Sequence, residues 1–176
     1  MGSSIGVSLV EKLATHHQTR DFKCGKNSLD LFIRKHALVN QRADSSQTYV
    51  VHHGGVVMGY YSLVFGTVRW EDSPVAMQDE LPSVYPVPVM LFARFAVEKK
   101  MQGHGIGRAL LKDAFLRTIE ASQIGGLAAI VVDAIDDKIM AFYESYGFTK
   151  CSVAERRLMV SIKDVRSWLS GSMVQD

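Results

Sequence analysis

Val89 to Arg108 reads VMLFARFAVEKKMQGHGIGR, and this stretch decides the fold. The run Val89–Val97 is apolar enough for a strand buried on both faces. Glycines at 103, 105 and 107 then mark a turn. Directly after it, Leu110, Ala114, Phe115 and Ile119 recur at helical spacing, so a helix is expected from about residue 105 to 122. Strand, glycine turn and helix in that order put unpartnered backbone N–H groups at a helix N-terminus, which is a site for a pyrophosphate. Glycine lets the backbone approach the anion closely. Arg108, Lys99 and Lys100 add positive charge.

Spacing separates three phosphate-loop readings. A P-loop needs Gly-Lys-Ser/Thr after four spacers, and the chain has none. A dinucleotide fingerprint begun at Gly103 needs its third glycine where Arg108 stands. Gln102, Gly105 and Gly107 do fit Q/R-x-x-G-x-G/A. In this the chain resembles the GNAT N-acetyltransferases, whose acetyl-CoA signature that is. The resemblance implies acetyl-CoA as co-substrate. It would be held by Phe95, Ala96 and Val97 on the strand and by Gln102, Gly103, His104, Gly105, Ile106, Gly107 and Arg108 in the turn and first helical turn.

Bulk properties agree with a single globular domain. A chain of 176 residues suits one domain with a substantial core. A net charge of +2 means that any nucleic-acid binding comes from a local patch. Cys24 and Cys151 have no metal-ligand spacing, which favours a cytoplasmic home with reduced thiols. No apolar run is long enough for a membrane span, and no signal peptide is visible. Residues 1–4 read as a tag remnant and are set aside.

Outside the deciding stretch, Asn27 is expected to cap a helix, with Leu29, Phe32, Ile33 and Ala37 on one face. This helix fades near Gln41. Thr48–His53 and Val56–Phe65 are expected as a hairpin about Gly54-Gly55, and Thr67–Trp70 as a further strand. Ser73–Pro88 holds all four prolines and reads as an irregular connection. Gly125-Gly126 is expected to end the second long helix. A buried parallel strand at 128–134, a helix at 137–146, a strand at 156–162 and a terminal helix at 163–169 complete the chain. The order predicts an α/β fold, a mixed central sheet flanked by helices. The GNAT resemblance adds that two central parallel strands splay apart around the cofactor.

A second motif lies at Ala141–Phe148, AFYESYGF. The spacing puts Ala141, Phe142 and Ser145 on one helix face, with Tyr143 elsewhere and Gly147 in the C-terminal turn. The Phe142-Tyr143 and Gly147-Phe148 pairs resemble a GNAT element, and the resemblance makes Tyr143 the catalytic acid for the departing CoA sulfur. A phenol titrates near 10 and a thiol near ~8.5, so such a donor is chemically reasonable at neutral pH. A backbone N–H of Phe95 or Val97 would meet the oxyanion. Glu98, His104 and Glu71 are conceivable bases, although each reads more readily as a solvated strand end or loop tip, and water can serve instead.

The N-terminal half narrows the class. Phe22-Lys23-Cys24-Gly25, Leu29–Ile33, Asn40-Gln41, Thr48–Val51, Gly59–Leu63 and Ala93–Val97 occur in sequence. In this order they resemble the GNAT toxins of bacterial toxin–antitoxin pairs, over residues 20–162. That resemblance implies aminoacyl-tRNA as substrate, a ribbon-helix-helix antitoxin as partner and a homodimer. Two residues depart from the toxin pattern: Gln47 stands at a common arginine and Phe32 at a common tryptophan. Arg94, Arg34 and Lys35 are the candidate tRNA contacts, within a wider set formed by Arg20, Lys23, Lys26, Arg42 and Arg69. A GNAT enzyme acting on a small amine, an antibiotic or a protein N-terminus, and a non-catalytic CoA-binding module, remain the alternatives. His16-His17 and His52-His53 lack a third ligand at a recognisable spacing, so no metal is expected.

Overall fold

The computed structural model describes residues 6–175, so the expectation for residues 1–4 lies outside it. A mixed sheet has the order β1-β2-β3-β4-β5-β7-β6. Its strands are β1 (Glu11–Lys12), β2 (Gln47–His53), β3 (Val56–Val68), β4 (Val87–Val97), β5 (Ala129–Asp133), β6 (Thr149–Lys150) and β7 (Arg157–Ser161). The helices are α1 (Asn27–Leu31), α2 (Ala37–Arg42), α3 (Val75–Gln78), α4 (Ile106–Ser122), α5 (Asp137–Glu144) and α6 (Ile162–Gln175). Two compact units share these elements. One runs up to Val64 and takes in Ala93–Ala114; the other comprises Phe65–Phe92 and the chain from Phe115 onward.

In the first unit, β2 and β3 form the expected hairpin, and Gly54 and Gly55 both have positive φ, 57° and 90°. Such a turn suits the twist of the two strands and favours glycine, which adopts positive φ without strain. The first helix is not regular. A π-helical turn, Phe32–His36, joins α1 to α2. Leu29, Phe32, Ile33 and Ala37 nevertheless all reach the core, with Phe22, Val50, Val57, Tyr60 and Ala96. The cap differs from expectation. Lys26 holds the N-cap position, and its side chain does not cap the helix. Asp30 lies in the first turn, where a carboxylate is favoured, and accepts from the Cys24 N–H at 2.8 Å. The preceding loop is thereby tied to the helix.

Gly59 marks where α4 meets the sheet most closely. A Cβ there would stand 3.0 Å from Leu110 Cδ1, 3.1 Å from Ile106 Cγ2 and 3.4 Å from the Ala96 carbonyl. Gly59→Val should therefore cost about 1–3 kcal/mol of stability by overpacking. Urea unfolding checks this. An unchanged midpoint would show that Leu110 and Ile106 rotate aside freely.

In the second unit, β5 runs parallel to β4 from Val89↔Ala129 to Phe92↔Val132 and antiparallel to β7. Phe92 is the last β4 residue paired with β5, yet β4 continues to Val97. The proline-rich connection is more ordered than expected. It contains α3, and Trp70 Nε1 donates to the carbonyls of Gln78 and Leu81, both at 3.1 Å. The further strand expected at 67–70 is the end of β3, which runs unbroken to Val68. Helix α4 stops at Ser122, short of Gly125-Gly126. There the Ser122 hydroxyl donates to the Ile119 carbonyl at 2.6 Å, competing with the helical ladder.

Candidate active site

The glycine turn is built by the backbone. Gly103 and Gly105 both have φ of 83°, and a Cβ on either would meet nothing within 4 Å. Glycine is needed there for its left-handed conformation, and the space beside it is open to a ligand. Ala109 N–H donates to the Gly105 carbonyl at 3.1 Å, so the ladder of α4 starts at that point. The N–H groups of Ile106 and Gly107 precede it and point off the helix end. Open space, glycine backbone and a helix N-terminus together fit a pyrophosphate.

Strand direction adds a second set of donors. Glu98 N–H donates to the Met58 carbonyl at 2.8 Å, so this residue faces β3. Successive residues alternate, so the N–H groups of Phe95 and Val97 point away from β3.

The side chains of the turn brace it. Gln102 Nε2 donates to the Val97 carbonyl at 3.0 Å and the Cys24 carbonyl at 2.9 Å. Its amide is thus committed to protein carbonyls. A 3-10 turn, Lys99–Met101, lies between strand and glycines, and Glu98 caps it by accepting from the Lys100 N–H at 2.6 Å. This gives Glu98 a structural role. His104 is exposed at the loop tip, and Glu71 is exposed in the second unit.

Arg94 is exposed, with its guanidinium carbon 5.0 Å from the centroid of the Phe32 ring. Its Nη1 donates to the Ala93 carbonyl at 2.7 Å. Arg34 donates to the Phe22 carbonyl, so one of its donors pins the π-helical turn to the preceding loop. Lys35 is exposed on that turn. Arg69 forms a two-pronged pair with Asp72 at 3.0 and 3.1 Å in the second unit.

Tyr143 belongs to the second unit, in α5. The expected face is reversed: Tyr143 is buried with Met140, while Ala141 and Ser145 are exposed. Its ring lies 5.2 Å from that of Phe148. Gly147, at φ 92°, makes the turn that returns Phe148 to the core. Burial pushes the Tyr143 phenol above its ordinary pKa, so the hydroxyl stays protonated.

One cluster was not legible. Glu11 Oε1 accepts from Nε2 of both His17 and His52, each at 2.7 Å. The β1–β2 pairing, with Glu11 opposite Val50, assembles it, and no local spacing announces such a contact. Nδ1 of His17 accepts from the Ala14 N–H at 2.9 Å, and Nδ1 of His52 from the Gly55 N–H at 3.0 Å. Both rings therefore carry their proton on Nε2. A metal on those Nε2 atoms would move the protons to Nδ1, against two backbone donors, so the arrangement is that of a hydrogen-bonded clamp.

Comparison with known proteins follows the same geometry. Residues 44–150 match the acetyltransferase (GNAT) domain family. A tRNA-acetylating toxin of Mycobacterium tuberculosis (strain ATCC 25618 / H37Rv) is 36% identical over 162 residues, covering 92% of this chain and 96% of the relative. The structure of AtaT complexed with acetyl-methionyl-tRNAfMet superposes with a TM-score of 0.84 at 25% identity, over 92% of this chain and 98% of AtaT. A mutant AtaT bound to the C-terminus of the antitoxin AtaR and acetyl-CoA gives a TM-score of 0.78 at 23% identity, over 92% and 97%. The chain belongs to the GNAT acetyltransferase family. It is an acetyltransferase whose acyl donor is acetyl-CoA.

Proposed function

We propose that this enzyme is a toxin that acetylates the α-amino group of aminoacyl-tRNA and so blocks translation. The observation that carries the reading is the 36% identity to a tRNA-acetylating toxin across 92% of the chain. The pyrophosphate of acetyl-CoA is assigned to the turn 102–108, and the acetyl carbonyl to the N–H groups of Phe95 and Val97. The neutral α-amine attacks the thioester carbon, the C–S bond breaks, and the thiolate takes a hydrogen bond or proton from the Tyr143 hydroxyl. The amine loses its own proton to water. An aminoacyl ester suits this economy of catalytic groups, because the ester withdraws charge and lowers the amine pKa. Arg94, Arg34 and Lys35 are assigned to the tRNA phosphates.

A ribbon-helix-helix antitoxin, a homodimer and a cytoplasmic setting belong to the same reading. AtaT, similar in fold, has been seen with its antitoxin. Acetyl transfer from labelled acetyl-CoA to a panel of charged tRNAs tests the proposal. Labelled N-acetyl-aminoacyl-tRNA is the expected product, and growth arrest is the expected effect of expression without an antitoxin. If every charged tRNA stays unlabelled while a small amine or a protein N-terminus is acetylated, the second GNAT reading replaces it.

A further inference from the structure

Arg94, Phe32 and Tyr60 form a column that runs from the surface into the core of the first unit. The guanidinium stands over the Phe32 ring at 5.0 Å. The Phe32 ring stacks on Tyr60, with centroids 6.1 Å apart and an interplanar angle of 20°. The Tyr60 hydroxyl donates to the Leu29 carbonyl at 2.7 Å, so the base of the column is fixed to α1, just before the π-helical turn that carries Phe32. Phe22 closes the side of Tyr60 edge-on at 5.6 Å. Tyr60 is fully buried, Phe32 is buried and Arg94 is exposed. Among the described residues no carboxylate lies within ion-pair distance of Arg94. Among the described residues its one hydrogen bond is that from Nη1 to the Ala93 carbonyl, and a guanidinium has further donors to offer.

An exposed arginine ordinarily samples many rotamers. One held by a ring face and by its own strand has lost most of that freedom before any ligand arrives. The cation is therefore pre-oriented and not neutralised, and its planar fork suits an anion that offers two oxygens side by side, such as the non-bridging oxygens of a phosphodiester.

We propose that Phe32 is a positioning residue that holds Arg94 ready for a phosphate of the acceptor RNA. This rests on the aminoacyl-tRNA reading. The π-helical turn has a purpose under this assignment, since it sets the Phe32 ring between Tyr60 and the guanidinium.

Steady-state acetyl transfer to charged tRNA tests it, with wild type, Phe32→Leu, Phe32→Trp, Arg94→Ala and the Phe32→Leu/Arg94→Ala double variant. Circular dichroism and acetyl-CoA titration confirm folding and donor binding for each. Phe32→Leu should raise KM for tRNA roughly threefold to thirtyfold, the range of a cation–π contact, with kcat and acetyl-CoA affinity near wild type. Phe32→Trp should restore it. The double variant should be no worse than Arg94→Ala alone. An independent readout is the Arg94 Nε–H resonance, which should be shifted by the ring current in wild type and Phe32→Trp and lose that shift in Phe32→Leu. If Phe32→Leu leaves KM for tRNA unchanged, or the two single effects add in full, Phe32 has no positioning role and the proposal fails. If wild type acetylates no charged tRNA, the substrate reading itself has failed and the proposal falls with it. The two failures differ in whether wild type turns over tRNA.

Discussion

Replacing Tyr143 by phenylalanine is expected to lower kcat on the order of 10²–10⁴-fold while leaving acetyl-CoA affinity near wild type. The phenylalanine keeps the ring that packs on Phe148 and removes only the hydroxyl. An effect confined to kcat identifies an interaction made in the transition state. Burial gives the assignment a pH signature. It raises the phenol pKa, so the neutral hydroxyl persists on the alkaline side. The wild-type kcat/KM should climb as the substrate amine deprotonates and show no fall from Tyr143 ionisation below about pH 10. Single-turnover measurements on charged tRNA would record the profile. The raised pKa also limits the role: the phenol is a weaker acid than the thiol it serves. Its hydrogen bond steadies the sulfur as the C–S bond breaks, and full transfer needs a thiolate that is desolvated too. Wild-type turnover in the phenylalanine variant would assign that task to another group or to water.

The second large effect is expected at Gly105. A glutamate there brings two costs. Its backbone must hold φ near 83°, which L side chains rarely adopt, and its carboxylate enters the space assigned to the pyrophosphate. Like-charge juxtaposition costs several kcal/mol, so acetyl-CoA affinity should fall by about a hundredfold or more. Gly105→Ala separates the two costs, because it carries the strain without the charge and should lose far less. Calorimetry on the folded variants checks both. Equal affinity in Gly105→Glu and wild type would remove the turn from the cofactor site.

The elements that carry the proposed cofactor site were the ones most legible in the sequence. The strand ending at Val97, the glycine turn, the helix from Ile106 and the strand Ala129–Asp133 all carry dense apolar patterning with sharp punctuation. Their pattern is local, and it survives in the fold. What escaped depends on partners distant in sequence or on competition at an element's end. The faces of α5 were reversed because Tyr143 and Met140, three residues apart, outweigh alanine and serine for the interior. Helix α4 ends at Ser122 as its apolar period implies, but the glycines are not what stops it: the Ser122 hydroxyl competes with the ladder before they are reached. The helix from Asn27 showed its buried face at the right positions, but a π-helical turn leaves no mark in an apolar period. Nor does the Q-x-x-G-x-G motif by itself show that the Gln102 side chain turns onto two carbonyls.

Those two hydrogen bonds bear on how the cofactor is captured. Val97 closes the strand, Cys24 sits in the loop before the first helix, and one amide ties both to the glycine turn. A loop containing three glycines would otherwise have the most entropy to lose on meeting an anion. Here much of that loss falls within the folding of the chain itself. If the turn holds acetyl-CoA as proposed, the donor meets a receptor already in shape, and its release needs no reordering of the loop before the next donor arrives.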